Sequence, residues 1–276
     1  MRGRTDWTAH VVLMLGVLAF ALPIWLVFAG STQDAAAISR GELSLLPRLS
    51  HLDVYARVLG EGSGGSGPVG HMLLVSAGMA LGIALGKIAV SVLSAYAVAF
   101  FRFPCRMLAF WTIFITLMLP VEVRIVPTYQ VMSDLSLINT FTGLTVPLTA
   151  SATATLLFRQ VFLAVPDALM DAARIDGAGP WRFLRHILLP VSAPNIAALF
   201  VILFVYGWNQ YLWPLLVATD PRLDTVVIGI VKRIGVNADT EWDRVMATAM
   251  LALLPPVAVV LLMQRWFVKG LTEGEK

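Results

Sequence analysis

Six long apolar stretches constrain this chain more than anything else in it: roughly residues 10–30, 71–100, 107–127, 142–164, 193–217 and 244–268. About 20 apolar residues in a helix cross a bilayer core, and only helices and closed barrels satisfy their own backbone there. At 58% hydrophobic and 13% charged, the 276 residues are far more apolar than a soluble domain. The expected fold class is therefore all-α and polytopic, with six transmembrane helices in one helical domain. The expected division is a first span with an external loop (1–70), a core (71–268) containing a polar segment at 166–190, and a tail (269–276). The first apolar stretch is long and no small-residue processing site precedes Gly30, so no cleavable leader is expected. The lone cysteine, Cys105, excludes an internal disulfide and a thiolate metal site.

Charge gives the orientation. With the N-terminus inside, Arg2, Arg4, Arg102, Arg106, Arg174, Arg182, Arg185, Lys269 and Lys276 all fall on the cytoplasmic side, while the short loop near Asp134 has no Lys or Arg. Six spans then return the C-terminus to the cytoplasm, an N-in, C-in topology for an inner-membrane protein. The net charge of +3 follows from this asymmetry and does not call for nucleic acid.

Several local patterns add detail. The run Gly60-Glu61-Gly62-Ser63-Gly64-Gly65-Ser66-Gly67-Pro68 reads as a flexible external connector. Gly78, Gly82 and Gly86 put a smooth stripe on one helix face, where another backbone can approach. Gly86-Lys87 is not a phosphate-binding loop, because Leu81 stands in place of the first glycine and Ile88 in place of the magnesium-holding hydroxyl. Pro120 and Pro127 predict a kinked or broken third span, of the kind that lines a cavity. The Ser/Thr run at 149–155 reads as helix–helix glue, and Arg159 as a side chain snorkelling to the cytoplasmic interface.

The polar segment between the fourth and fifth spans has the marks of a water-exposed helix. Pro166 suits a helix start, Asp167 and Asp171 favour its N-terminal half, Arg174 its C-terminal half, and Gly177 the left-handed position that ends it. Pro180 opens a second short helix. Ala172 and Ala173 leave a low profile for a partner's groove, with Leu169, Met170 and Ile175 available as apolar anchors. Periodicity alone does not exclude an ordinary amphipathic helix lying on the membrane.

Asp171-Ala172-Ala173, Gly177, and then Ile187, Leu189 and Pro190 resemble the E-A-A-x3-G-x9-I-x-L-P signature of permease subunits in bacterial ATP-binding-cassette importers. Every fixed position matches except the first, where Asp replaces Glu. Segments such as Met118–Ile125, Ser151–Thr155, Tyr206–Leu215 and Met263–Arg265 look like carbohydrate importers of the maltose-permease kind, and within them the branch handling sn-glycerol 3-phosphate. The resemblance implies a type I importer permease fold. It makes the segment a coupling helix that meets an ATPase through Asp171, Ala172, Ala173, Asp176, Gly177, Ile187 and Pro190. It also implies a homologous second permease, a dimer of ATPase subunits that bind ATP and Mg2+, and an external solute-binding protein. This chain would carry no cofactor and no covalent chemistry.

Charge inside a bilayer is costly and marks function by default. Lys87, Glu122 and Arg124 are the deepest candidates. At ~1.5 Å per residue, Arg124 and Asn209 come to similar depths in the outer half of the membrane. A guanidinium holds phosphate through two parallel hydrogen bonds. Asn209 or Gln210 would take the glycerol hydroxyls and Trp208 would form a wall. Neighbours on a helix point ~100° apart, so Asn209 and Gln210 are not both expected to face the pathway. A structural ion pair remains open for Arg124, and an interhelical partner for Lys87. Two other readings remain: the same fold carrying an uncharged di- or oligosaccharide, and a self-sufficient secondary transporter or channel.

Overall fold

The computed structural model describes residues 7–62, 65–116, 119–234 and 240–272, with backbone alone for 121, 122 and 267–272. Its regular structure is helical. In chain order the helices begin with α1 (Trp7–Ser31), α2 (Ala35–Ser39), α3 (Asp53–Gly60), α4 (Val69–Phe100) and α5 (Arg106–Ile115). Next come α6 (Val121–Asp134), α7 (Phe141–Thr145), α8 (Ala152–Leu163), α9 (Asp167–Ile175) and α10 (Pro180–Phe183). The last are α11 (Leu189–Val191), α12 (Ala193–Trp208), α13 (Leu212–Val217), α14 (Val226–Arg233) and α15 (Trp242–Thr272).

Three of these, α1, α4 and α15, are each long and apolar enough to cross a membrane. Two further crossings arise if bent pairs count as one: Phe141–Leu148 with Ala152–Leu163 (49°), and Pro180–Val191 with Ala193–Trp208 (75°). The sixth expected span, 107–127, is divided. Its first part, α5, has 10 residues, too few to span alone, and α6 starts afresh at Val121 with Pro120 as its cap. The proline pair explains part of this: Pro120 has an extended backbone (ψ 143°), while Pro127 is accommodated inside α6.

The chain forms two compact units. The first comprises Met1–Leu74 and Asp224–Leu254. Its helix α1 is apolar all round, and only Ala29, Gly30 and Ser31 at its end are buried, as expected of a lipid-facing span. The polar segment after α1 is tied back to that end. Gln33 Nε2 donates to the Ser44 carbonyl (2.6 Å), its Oε1 accepts from Ser44 N–H (2.8 Å), and Thr32 Oγ1 accepts from Arg48 N–H (3.0 Å). The glycine-rich run is not a free connector throughout. Buried Arg233 donates Nη2 to the Gly67 carbonyl (3.0 Å) and Nη1 to that of Gly229 (3.3 Å). Nearby, Lys232 Nζ lies 2.7 Å from the fully buried Asp224 carboxylate.

The second unit, Val75–Leu223 with Pro255–Lys276, is organised around α4. The glycine stripe receives the α7 region in register. A Cβ on Gly78 would meet the Phe141 ring (3.2 Å), one on Gly82 the Thr145 methyl (3.3 Å), and one on Gly86 the Thr149 methyl (2.5 Å). Small residues at every fourth position thus admit a ridge of matching period. From another direction α12 approaches so closely that a Cβ on Gly207 would stand 2.9 Å from the Ala80 Cα. The hydroxyls of the 149–155 run serve mostly local bonds: Ser151 caps α8 by accepting from Ala154 N–H, and Thr149 donates to Val146.

Candidate functional site

Local chemistry shapes the polar segment as the sequence predicts. Helix α9 starts one residue later than expected: Pro166, expected in the first helical position, is instead the extended N-cap before Asp167, and Asp176 caps the other end. Gly177 then takes φ +70°, the Gly177 N–H donates to the Arg174 carbonyl (3.0 Å), and the Ala178 N–H to that of Ala173 (2.8 Å). This paired closure is the Schellman cap, which satisfies carbonyls that a helix end leaves unbonded. Asp171 and Arg174 form an ion pair at 3.5 Å with both side chains more than 60% exposed, so it adds little stability.

The faces of α9 are sharply divided. Ala173 is buried and Met170 half-buried, packed on the unit's own core, whereas Ala172, Asp171 and Asp176 are exposed. The two alanines therefore do not share one outward surface. Ile175 (86% exposed) and Trp181 (66%) are large apolar side chains standing in a polar segment, and Leu169 joins them. Of the later motif residues, Ile187 packs on the core and Pro190 is exposed. Leu184–Leu188 form a π-helical turn leading into α11.

Beneath α9 lies an aromatic core in which Tyr96, Phe100, Phe162 and Phe183 meet. Ring centroids are 5.5 Å apart for Tyr96–Phe100 and also for Phe100–Phe183. Tyr96 Oη donates to the Pro180 carbonyl (2.8 Å), joining α4 to the start of α10. A cavity of about 260 Å³ remains between Tyr96, Phe100, Met170 and Pro180.

A different environment surrounds Lys87 on the same helix. Lys87 is 7% exposed, with Nζ 3.8 Å above the centroid of the Tyr206 ring. It lines two adjoining cavities of about 120 and 340 Å³, and Arg124, Ala150 and Tyr206 line both. Gln210 and Thr128 border the smaller, Ser151 and Thr153 the larger. Among the described residues, neither Lys87 nor Arg124 has an acidic partner. Two cations and several hydroxyls facing one space suit an anion that also carries hydroxyl groups.

The structure thus brings Arg124, Lys87 and Gln210 together, but not Trp208 or Asn209. Trp208 is buried and stacks on Phe204 at 5.9 Å, and Asn209 is exposed and borders neither cavity. The Glu122 side chain lies outside the described residues. Tyr206 was missed. The available signal was its closeness to Gln210, whose Nε2 donates to the Tyr206 carbonyl (3.1 Å) from just past the end of α12. Arg159 does not simply snorkel, since its guanidinium lies 4.5 Å over the Phe110 ring.

Comparison with known proteins agrees with this architecture. Residues 75–273 match the family described as the binding-protein-dependent transport system inner membrane component. The sn-glycerol-3-phosphate transport system permease protein UgpE of Rhizobium meliloti (strain 1021) is 55% identical over 273 residues, covering 97% of this chain and 96% of that protein. Its counterpart from Agrobacterium fabrum is 56% identical over 271 residues, with the same coverage. Among solved structures, a bacterial ABC transporter involved in import of the acidic polysaccharide alginate contains a chain with TM-score 0.77 and 22% identity. That match spans 97% of this chain and 99% of the other, and it establishes a shared fold.

Proposed function

Because this chain belongs to the family of binding-protein-dependent transport system inner membrane components, we propose that it carries sn-glycerol 3-phosphate and glycerophosphodiesters across the inner membrane as one permease of an ATP-driven importer. The observation that carries the substrate reading is the pairing of Lys87 and Arg124 on one cavity with no carboxylate between them among the described residues. Paired carboxylates would neutralise the two cations, and an uncharged sugar would have no need of them. Arg124 offers the bidentate fork for phosphate, Lys87 a point charge, and Gln210 a partner for a glycerol hydroxyl.

The work comes from elsewhere. A homologous permease completes the pathway, a pair of ATPase subunits binds ATP and Mg2+ in the cytoplasm, and an external solute-binding protein delivers the substrate. The surface of α9 and α10, with Ile175 and Trp181 projecting among Asp171, Asp176 and Arg182, receives the ATPase. The stroke passes through the Gly177 cap and the Pro180 carbonyl into α4 and α12. ATP binding closes the ATPase dimer, draws the two coupling segments together and opens the pathway outward.

The test is ATPase activity of the copurified complex with sn-glycerol 3-phosphate, glycerophosphocholine and maltose, each delivered by the binding protein. The phosphate-containing solutes are expected to stimulate hydrolysis and maltose is not. Gly177→Asp is expected to abolish uptake and coupling while the subunit still inserts: no atom lies within 4 Å of a Cβ at that position, so the new carboxylate alters the surface offered to the ATPase rather than the fold. Normal substrate-stimulated ATPase in that variant would sink the coupling assignment.

A further inference from the structure

We propose that Tyr206 is a positioning residue for import: its ring keeps the Lys87 ammonium charged and aimed into the cavity it shares with Arg124, ready for the phosphate group of the substrate. The inference rests on reading that cavity as the phosphate site.

A lysine this deep in a membrane helix would ordinarily be stabilised by a carboxylate. Such a partner would defeat an anion site, since it cancels the ammonium charge and repels the incoming phosphate. The face of an aromatic ring solves both problems. Its quadrupole attracts the ammonium, yet it adds no net charge. Here Nζ sits 3.8 Å above the Tyr206 centroid, and both residues line the two cavities that Arg124 also borders.

Neighbouring packing fixes the ring's register. Gly207, the next residue, brings the α12 backbone against Ala80 on α4, where a Cβ would be 2.9 Å from the Ala80 Cα. Lys87 lies two turns further along α4, and helix side chains lean toward the N-terminus, so its long stem reaches back to the ring. Gln210, just past the end of α12, donates Nε2 to the Tyr206 carbonyl (3.1 Å) and borders the smaller cavity, so the platform and a polar ligand line the same space. The Tyr206 hydroxyl plays no part in this geometry; the ring does.

The experiment uses the full importer (both permeases, the ATPase dimer and saturating loaded binding protein) in proteoliposomes, and reads the maximal uptake rate of sn-glycerol 3-phosphate. Tyr206→Leu should lower the rate by about 2- to 30-fold, the equivalent of a cation–π contact of about 0.5–2 kcal/mol. Tyr206→Phe and Tyr206→Trp, which keep a ring, should stay within about twofold of wild type and also serve as folded controls. Lys87→Met should slow uptake, and adding Tyr206→Leu to it should cause no further loss, because a residue acting through Lys87 has nothing left to position. Equal damage from Tyr206→Leu with and without Lys87, or a Tyr206→Phe as slow as Tyr206→Leu, would overturn the inference alone. A wild-type complex that ignores sn-glycerol 3-phosphate would overturn the substrate reading, and the inference with it.

Discussion

Helix α4 borders cavities of opposite character at two points along its length. At Lys87 it faces hydroxyls, a second cation and the Tyr206 ring; at Tyr96, nine residues or about 14 Å further along, it faces a cluster of aromatic rings and an apolar void. The first region holds two like charges with no acidic partner among the described residues, and the second is held together by area and one hydrogen bond. An unpaired charge stores an appetite for a ligand, while an aromatic cluster transmits displacement because it is close-packed. One continuous helix carrying both can link a stroke at one point to an occupancy at the other.

The largest effect should come from removing the charge that distinguishes the first region. Arg124→Gln is expected to cut phosphate-substrate uptake by about 10- to 100-fold, the loss of a charge-assisted bidentate contact of about 1.5–3 kcal/mol. Arg124→Lys should recover part of it, because it keeps the charge and loses the fork. Uptake assays on both variants would break the comparison if Gln and Lys behaved alike.

Next in size is the packing that holds both regions in register. Gly207→Val puts a branched side chain where even a Cβ is 2.9 Å from the Ala80 Cα. Backbone cannot step aside as a flexible side-chain end can, so overpacking should cost about 1–3 kcal/mol. Thermal unfolding of the detergent-purified complex would show it as a lowered midpoint, and Gly16→Ala, with nothing within 4 Å, should not.

A smaller loss is expected at the cap. Gly177 has φ +70° and open space around its missing Cβ, so Gly177→Ala carries backbone strain without a clash. The cost should be about 1 kcal/mol, and Gly177→Asn should cost less because Asn tolerates the left-handed region. A stability series in which Asn falls below Ala would show that something other than backbone conformation governs this site.

These regions were not equally legible in the sequence. Helix α9 is written locally: Pro166 and Gly177 fix its ends through their own backbone chemistry, and both ends were predictable. The glycine stripe at 78, 82 and 86 announced a close partner, but not that Phe141, Thr145 and Thr149 of the same chain would fill it at matching spacing. Depth counting brought Arg124 and the end of α12 to one level, yet could not choose between Asn209 and Gln210. The helix ends at Trp208, which turns into the packing, and the loop just beyond it delivers Gln210 rather than Asn209 to the cavity. Tyr206 was the hardest to read. An aromatic within an apolar helix looks like core until the fold reveals that the atom above its ring is an ammonium nitrogen.

The finest distinction between the two regions lies in a single hydroxyl. Tyr96→Phe keeps every ring contact of the apolar cluster and removes only the donor to the Pro180 carbonyl. Interhelical hydrogen bonds in membranes contribute about 0.6 kcal/mol on average, so the unfolding midpoint should barely move. Coupling should move more. If the Pro180 carbonyl pulls on α4 through that bond, the variant should hydrolyse more ATP per molecule imported while binding the ATPase as well as wild type. Tyr96→Ala, which also empties a packed site, should lose about 3–5 kcal/mol of stability and blur the two effects. An unchanged ratio of ATP hydrolysed to solute imported in Tyr96→Phe would mean that displacement reaches α4 through the packed rings of Phe100 and Phe183 alone.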